Sequence, residues 1–145
     1  MEDVFTNRPT RAGSPNGSDQ KHILFSDDEE DLCFLAEYTL GEMGFKVTSA
    51  RTGAEGLELF QEDMDRYDLI VTDQVMPRMS GIELARAVSG ARPELPIILC
   101  SGTGILTDPK IRENKCIDSW LQKPVLTEEL VDAIQKSLPG VQISF

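Results

Sequence analysis

At 145 residues and a formal charge of −11, the chain has room for one domain with a sizeable core, and its charge excludes nonspecific contact with nucleic acid or anionic lipid. No apolar run approaches the ~20 residues of a membrane span, no signal-peptide pattern opens the chain, and Cys33, Cys100 and Cys116 are unclustered. They read as reduced thiols in a cytoplasmic setting. The single histidine, His22, argues against a Ser-His-Asp triad or a multi-histidine metal centre.

Residues 1–20 have the composition of a flexible polar tail or linker, with Arg8-Pro9-Thr10-Arg11-Ala12-Gly13-Ser14-Pro15 too poor in apolar residues to pack. His22–Ser26 reads as a first strand ending on Asp27-Asp28. The acidic run Glu29-Glu30-Asp31 opens a helix with Leu32, Leu35, Ala36, Leu40 and Met43 directed inward, and Gly44 stops it. Lys46–Ala50 is a more polar strand suited to a sheet edge. Thr52 and Glu55 form a capping box for a helix that turns Leu57, Phe60 and Met64 inward.

Leu69–Asp73 is a short β-branched apolar run, a strand buried on both faces that stops on an aspartate. A Pro-containing loop follows, and Ser80 with Glu83 caps a helix running to about Ser89. Pro96–Cys100 is a second fully apolar strand, ending on Ser101-Gly102-Thr103-Gly104. Asp108 and Pro109 suit the start of a short polar fourth helix, and Ser119-Trp120-Leu121 makes a last strand ending near Lys123-Pro124. Thr127 is expected to cap the final helix, with Leu126 and Val131 as its hydrophobic staple and Leu130, Ile134 and Leu138 facing the core. The domain then spans 21–138, and 139–145 form a short C-terminal tail.

Five strands alternating with helices predict a parallel sheet with right-handed crossovers. The first, third and fourth strands are the most apolar and hence central, which fits an α/β, flavodoxin-like (βα)5 doubly wound five-stranded sheet of order 2-1-3-4-5. That order sets Asp27 and Asp28 beside Asp73 at the switch point, with Ser101 and Lys123 on the same rim. Taken singly, Asp73 could merely cap a turn, Ser101 be a turn residue and Lys123 a solvated rim lysine. Together they mean more. Neighbouring carboxylates repel by about 4 kcal/mol per pair at an effective dielectric near 20, so a cation or a large pKa shift must justify them. Carboxylates, a strand-end carbonyl and waters describe a Mg²⁺ site, and a carboxylate nucleophile with metal, lysine and hydroxyl describes an aspartyl-phosphate site.

Residues 21–138 resemble the receiver domain of two-component response regulators, through Asp27-Asp28, through Asp73 with Met76-Pro77-Arg78-Met79-Ser80-Gly81, through Ser101-Gly102, and through Lys123-Pro124. The resemblance implies that Asp73 accepts a phosphoryl group from a phosphohistidine of a sensor histidine kinase or a histidine phosphotransfer domain. It implies Mg²⁺ held by Asp28, Asp73 and the Val75 backbone carbonyl, with Asp27 acting mostly through water. Lys123 would pair with the phosphoryl group, Ser101 would turn its hydroxyl toward it, and Trp120 stands at the switch aromatic. Serine at 101 and tryptophan at 120 depart from the usual threonine and tyrosine or phenylalanine. An indole half-exposed at the edge and packed on the last helix is the competing reading of Trp120. The wording around Asp27, Leu99 and Gln122 looks most like receivers of hybrid sensor histidine kinases. Signalling would run through the face of the fourth helix, fifth strand and fifth helix, which could also support a homodimer, with no direct nucleic-acid or membrane contact.

Three other classes compete. A phosphatase of the haloacid-dehalogenase type wants an aspartate where this chain has Val75. A flavodoxin-like cofactor binder would find Asp27-Asp28-Glu29 repelling its phosphate. A phosphorylation-independent pseudo-receiver would tolerate loss of site groups that are all present here.

Overall fold

The computed structural model describes residues 20–102, 109, 113–141 and 143. Five parallel strands, β1 (His22–Ser26), β2 (Lys46–Ala50), β3 (Leu69–Asp73), β4 (Ile97–Ser101) and β5 (Ser119–Gln122), form one sheet in the order β2-β1-β3-β4-β5. The helices are α1 (Glu30–Glu42), α2 (Gly53–Glu62), α3 (Gly81–Ala91) and α4 (Thr127–Ser137). Of the helix expected to start at Asp108 and Pro109 only Pro109 is described, and it is helical; the tail up to residue 19 lies outside the described residues.

Strand alternation divides the core in two. Leu24, Ile70 and Leu99 join Phe60 of α2 and Leu84 and Val88 of α3 on one face of the sheet. Ile23, Leu69, Val71 and Ile98 join Ala36 and Leu40 of α1 and Val131 and Ile134 of α4 on the other. The central strands β3 and β4 are buried at every position, whereas the polar β2 and β5 sit at the edges.

Several local expectations shift. α1 buries Cys33, Ala36 and Leu40, but Leu35 is 57% exposed. It stands about 100° round the helix from Ala36, off the inward stripe. Met64 lies past the end of α2, where extended Asp63 turns the chain away, and it is exposed rather than core. α3 continues to Ala91, and its Ser80–Glu83 capping box forms as expected. α4 starts one residue early: Thr127 is its first helical residue, and Leu126 occupies the cap position without a side-chain bond. The Leu126 N–H donates instead to the Glu129 carboxylate at 3.1 Å. The staple shifts with the boundary, so that Val125 and Leu130 pack on the core while Leu126 is exposed. Among the described residues no helix is long and apolar enough to cross a membrane.

Candidate active site

Parallel pairing brings Ser26 level with Thr72, so the chains leaving β1 and β3 place Asp27 and Asp73 side by side at the carboxyl edge. Both are buried, at 2% and 8% exposure, while Asp28 is exposed. Carboxylate oxygens of Asp27, Asp28 and Asp73 lie within 4.8 Å of one another. Lys123, leaving β5, reaches across β4 to them. Its Nζ lies 2.9 Å from Asp27 Oδ2 and 3.1 Å from Asp73 Oδ2. The second Asp27 oxygen accepts the Glu29 N–H at 2.9 Å.

These partners set the electrostatics. Burial raises the Asp73 pKa, against the lowering effect of Lys123 and of the Val75 N–H that donates to it. Burial by itself would lower the Lys123 pKa, but its bonds to Asp27 and Asp73 outweigh that and hold it above the ordinary lysine value. Beside the site, burial pushes the Cys100 thiol up to about 12, so it stays neutral.

The loop after β3 is fixed at both ends. Gln74 donates its N–H to the Cys100 carbonyl at 2.9 Å, its carbonyl accepts from Gly81 at 3.0 Å, and its side-chain oxygen accepts from Ile82 at 2.9 Å. Thr72 Oγ1 donates to the Asp73 carbonyl at 2.9 Å. Two glycines permit close approaches: a Cβ on Gly81 would lie 2.3 Å from the Asp73 carbonyl oxygen, and one on Gly53 would lie 2.2 Å from that of Met79. Arg78, with φ of 75°, carries the turn between them. Gln74, Thr72 and Gly53 had no signal of their own in the sequence. Only the Thr52–Glu55 box, which fixes where α2 begins, points to Gly53.

The other expected site residues are placed less directly. Ser101 is buried, and its carbonyl accepts the Lys123 N–H at 2.7 Å. Val75 sits beside Asp73 with an exposed side chain. Trp120 pairs in register with Leu99 and packs on the core cluster of α2 and α3. It therefore does not rest on the last helix; in β5 it is Leu121 that faces the α1–α4 side, because neighbouring strand residues point to opposite faces.

The donor set suits a small hard cation. It is all oxygen, and a Mg–O distance of about 2.1 Å puts octahedral ligands about 3 to 4 Å apart, within reach of this cluster.

The sequence pattern of the response regulator receiver domain matches residues 23–135. The chain is 33% identical over 118 residues to the response regulator receiver protein CpdR of Brucella abortus, covering 81% of this chain and 97% of CpdR. It is 30% identical over 123 residues to the transcriptional regulatory protein GlrR of Escherichia coli, covering 82% of this chain but only 27% of GlrR. A receiver domain protein from Clostridium thermocellum superposes with a TM-score of 0.76 at 29% identity, covering 81% of this chain and 94% of that one. The chemotaxis protein CheY4 of Vibrio cholerae gives 0.72 at 29% identity, with 82% and 99% covered. The parallel sheet of this order, with an acidic cluster at its switch point, is the fold these receiver structures share in outline. The chain belongs to the response regulator receiver domain family, the receivers of two-component systems.

Proposed function

We propose that Asp73 is the phosphoacceptor of this receiver, within a domain spanning 21–138. The observation that carries the reading is the Lys123 ammonium, which bridges Asp27 and Asp73 across the switch point. An Asp73 carboxylate oxygen attacks the phosphorus of a donor phosphohistidine. The new O–P bond forms as the P–N bond breaks, and the imidazole leaves with the bond's electron pair and takes up a proton.

Asp28, Asp73 and the Val75 carbonyl would hold Mg²⁺, with Asp27 acting through water. Bound there, the ion supplies charge neutralisation to the transferring group. Lys123 is already aligned on Asp73 and would pair with the phosphoryl oxygens, and the Ser101 hydroxyl would turn toward them. In this reading the donor is a sensor histidine kinase or histidine phosphotransfer domain, the setting is cytoplasmic, and the output is a population shift at the surface around β5 and α4 that extends to Trp120.

Incubation with acetyl phosphate and Mg²⁺ tests the reading. Acid-labile incorporation that EDTA abolishes is expected, and failure of the folded wild type to incorporate any phosphoryl group would overturn it.

A further inference from the structure

Val75, whose side chain is 72% exposed, stands between two residues whose side chains are anchored. Gln74 Oε1 accepts the Ile82 N–H at 2.9 Å, in the first turn of α3. Met76 is buried and turns to β1 instead, where its Sδ lies 3.2 Å from Ser26 Oγ. The loop after β3 is therefore tied by one side chain to α3 and by the next but one to β1.

Ser26 is the last residue of β1, fully buried, and it directly precedes Asp27. It lies on the same strand face as Leu24, whose neighbours in the core against α2 and α3 are apolar. A hydroxyl in such a place costs free energy unless it finds a partner. Two acceptors are within reach: Met76 Sδ at 3.2 Å and the Thr52 carbonyl at 3.4 Å. A single O–H proton cannot serve both at full strength. Sulfur is the larger atom, so the contact with Met76 is the closer of the two, and the proton belongs there. The hydroxyl also has little freedom, since a Cβ on Gly56 would lie only 3.4 Å from it.

We propose that Ser26, acting through the Met76 thioether, is a positioning residue that holds the Val75 carbonyl ready for Mg²⁺. The proposal rests on the reading that counts this carbonyl among the metal ligands. A backbone carbonyl is not aimed by its own side chain. It lies in the rigid peptide plane that joins Val75 to Met76, so a fixed Met76 restricts that plane. Gln74 does the same from the other side. With both neighbours held beforehand, less loop entropy remains to be lost when the ion binds.

Calorimetric Mg²⁺ titration of the full chain tests this as a double-mutant cycle. Ser26→Ala removes the donor, and Met76→Leu removes the sulfur at nearly constant volume. Each should weaken Mg²⁺ binding about fivefold, as loss of one buried hydrogen bond would, and the double variant should be no weaker than either alone. The second readout is amide exchange without Mg²⁺. The Gly81 N–H donates to the Gln74 carbonyl at 3.0 Å and so reports on the loop. In Ser26→Ala its exchange should quicken about fivefold relative to that of Val71 in β3.

Unchanged affinity with unchanged Gly81 exchange would overturn the positioning role while the metal reading stands. Faster exchange with unchanged affinity would place Val75 outside the metal site and overturn the proposal through the reading beneath it, as would a wild type that binds no Mg²⁺. Losses that multiply in the double variant would overturn the route through Met76.

Discussion

Lys123 is held as closely by Asp27 as by Asp73, with its ammonium 2.9 Å from one and 3.1 Å from the other. The lysine expected to meet an incoming phosphoryl group already neutralises the buried acidic pair. Lys123→Ala should leave two buried carboxylates unpaired and lower stability by about 2 kcal/mol without Mg²⁺. Urea unfolding with and without Mg²⁺ checks this, and the loss should shrink when Mg²⁺ is added. Equal stability of variant and wild type would mean that the ammonium does not neutralise the pair.

The Gly53–Met79 approach leads to a second expectation. A methyl group at 53 must displace the Met79 backbone, since its carbonyl oxygen would lie only 2.2 Å away. Gly53→Ala should therefore cost about 2 kcal/mol as overpacking and shift the loop that carries Val75. Calorimetric Mg²⁺ titration of the folded variant should show weakened affinity. Unchanged affinity would place Val75 outside the metal site.

His22 makes stability depend on pH. Burial, then Lys46 and Arg66, lower its pKa from 6.5 to about 4, and its Nε2 lies 2.6 Å from Thr48 Oγ1. In the unfolded chain the imidazole takes a proton below about pH 6.5, whereas the folded one stays neutral to about 4. The unfolded state then binds more protons, so this contribution is complete above 6.5 and is lost as pH falls toward 4. At about 1.4 kcal/mol per pKa unit the loss is about 3 kcal/mol. His22→Gln should flatten that part of the curve in urea unfolding between pH 7 and 4.5. An equally steep variant curve would show that other groups carry it.

Much of this was legible beforehand because apolar runs and capping residues are local signals. The apolar run Leu69–Asp73 delimits β3 to the residue, and Ser80 with Glu83 starts α3 where it does start. Where the signal was ambiguous, the reading slipped. Leu35 matched the helical period but lies beyond the arc that meets the sheet, and Thr127 lost its capping role when Glu129 bonded the preceding amide. At the site, strand ends identify Asp27, Asp28, Asp73 and Lys123 because parallel topology brings those ends together. The Gly53–Met79 approach and the side chain of Gln74 depend on tertiary fit, which no local pattern encodes.

Trp120 offers an optical readout. It sits level with Leu99, on the strand pair that also aligns Ser101 with Gln122. If Ser101 turns its hydroxyl toward the phosphoryl group, beryllofluoride with Mg²⁺ should change Trp120 emission in wild type but not in Asp73→Asn or Ser101→Ala. A change that persists in Ser101→Ala would break the proposed coupling.

The most direct test of the central claim is intact-mass spectrometry after treatment with acetyl phosphate and Mg²⁺, comparing wild type with Asp73→Asn. The account predicts one acid-labile phosphoryl group on the wild type and none on the variant; equal labelling of the two proteins would contradict it.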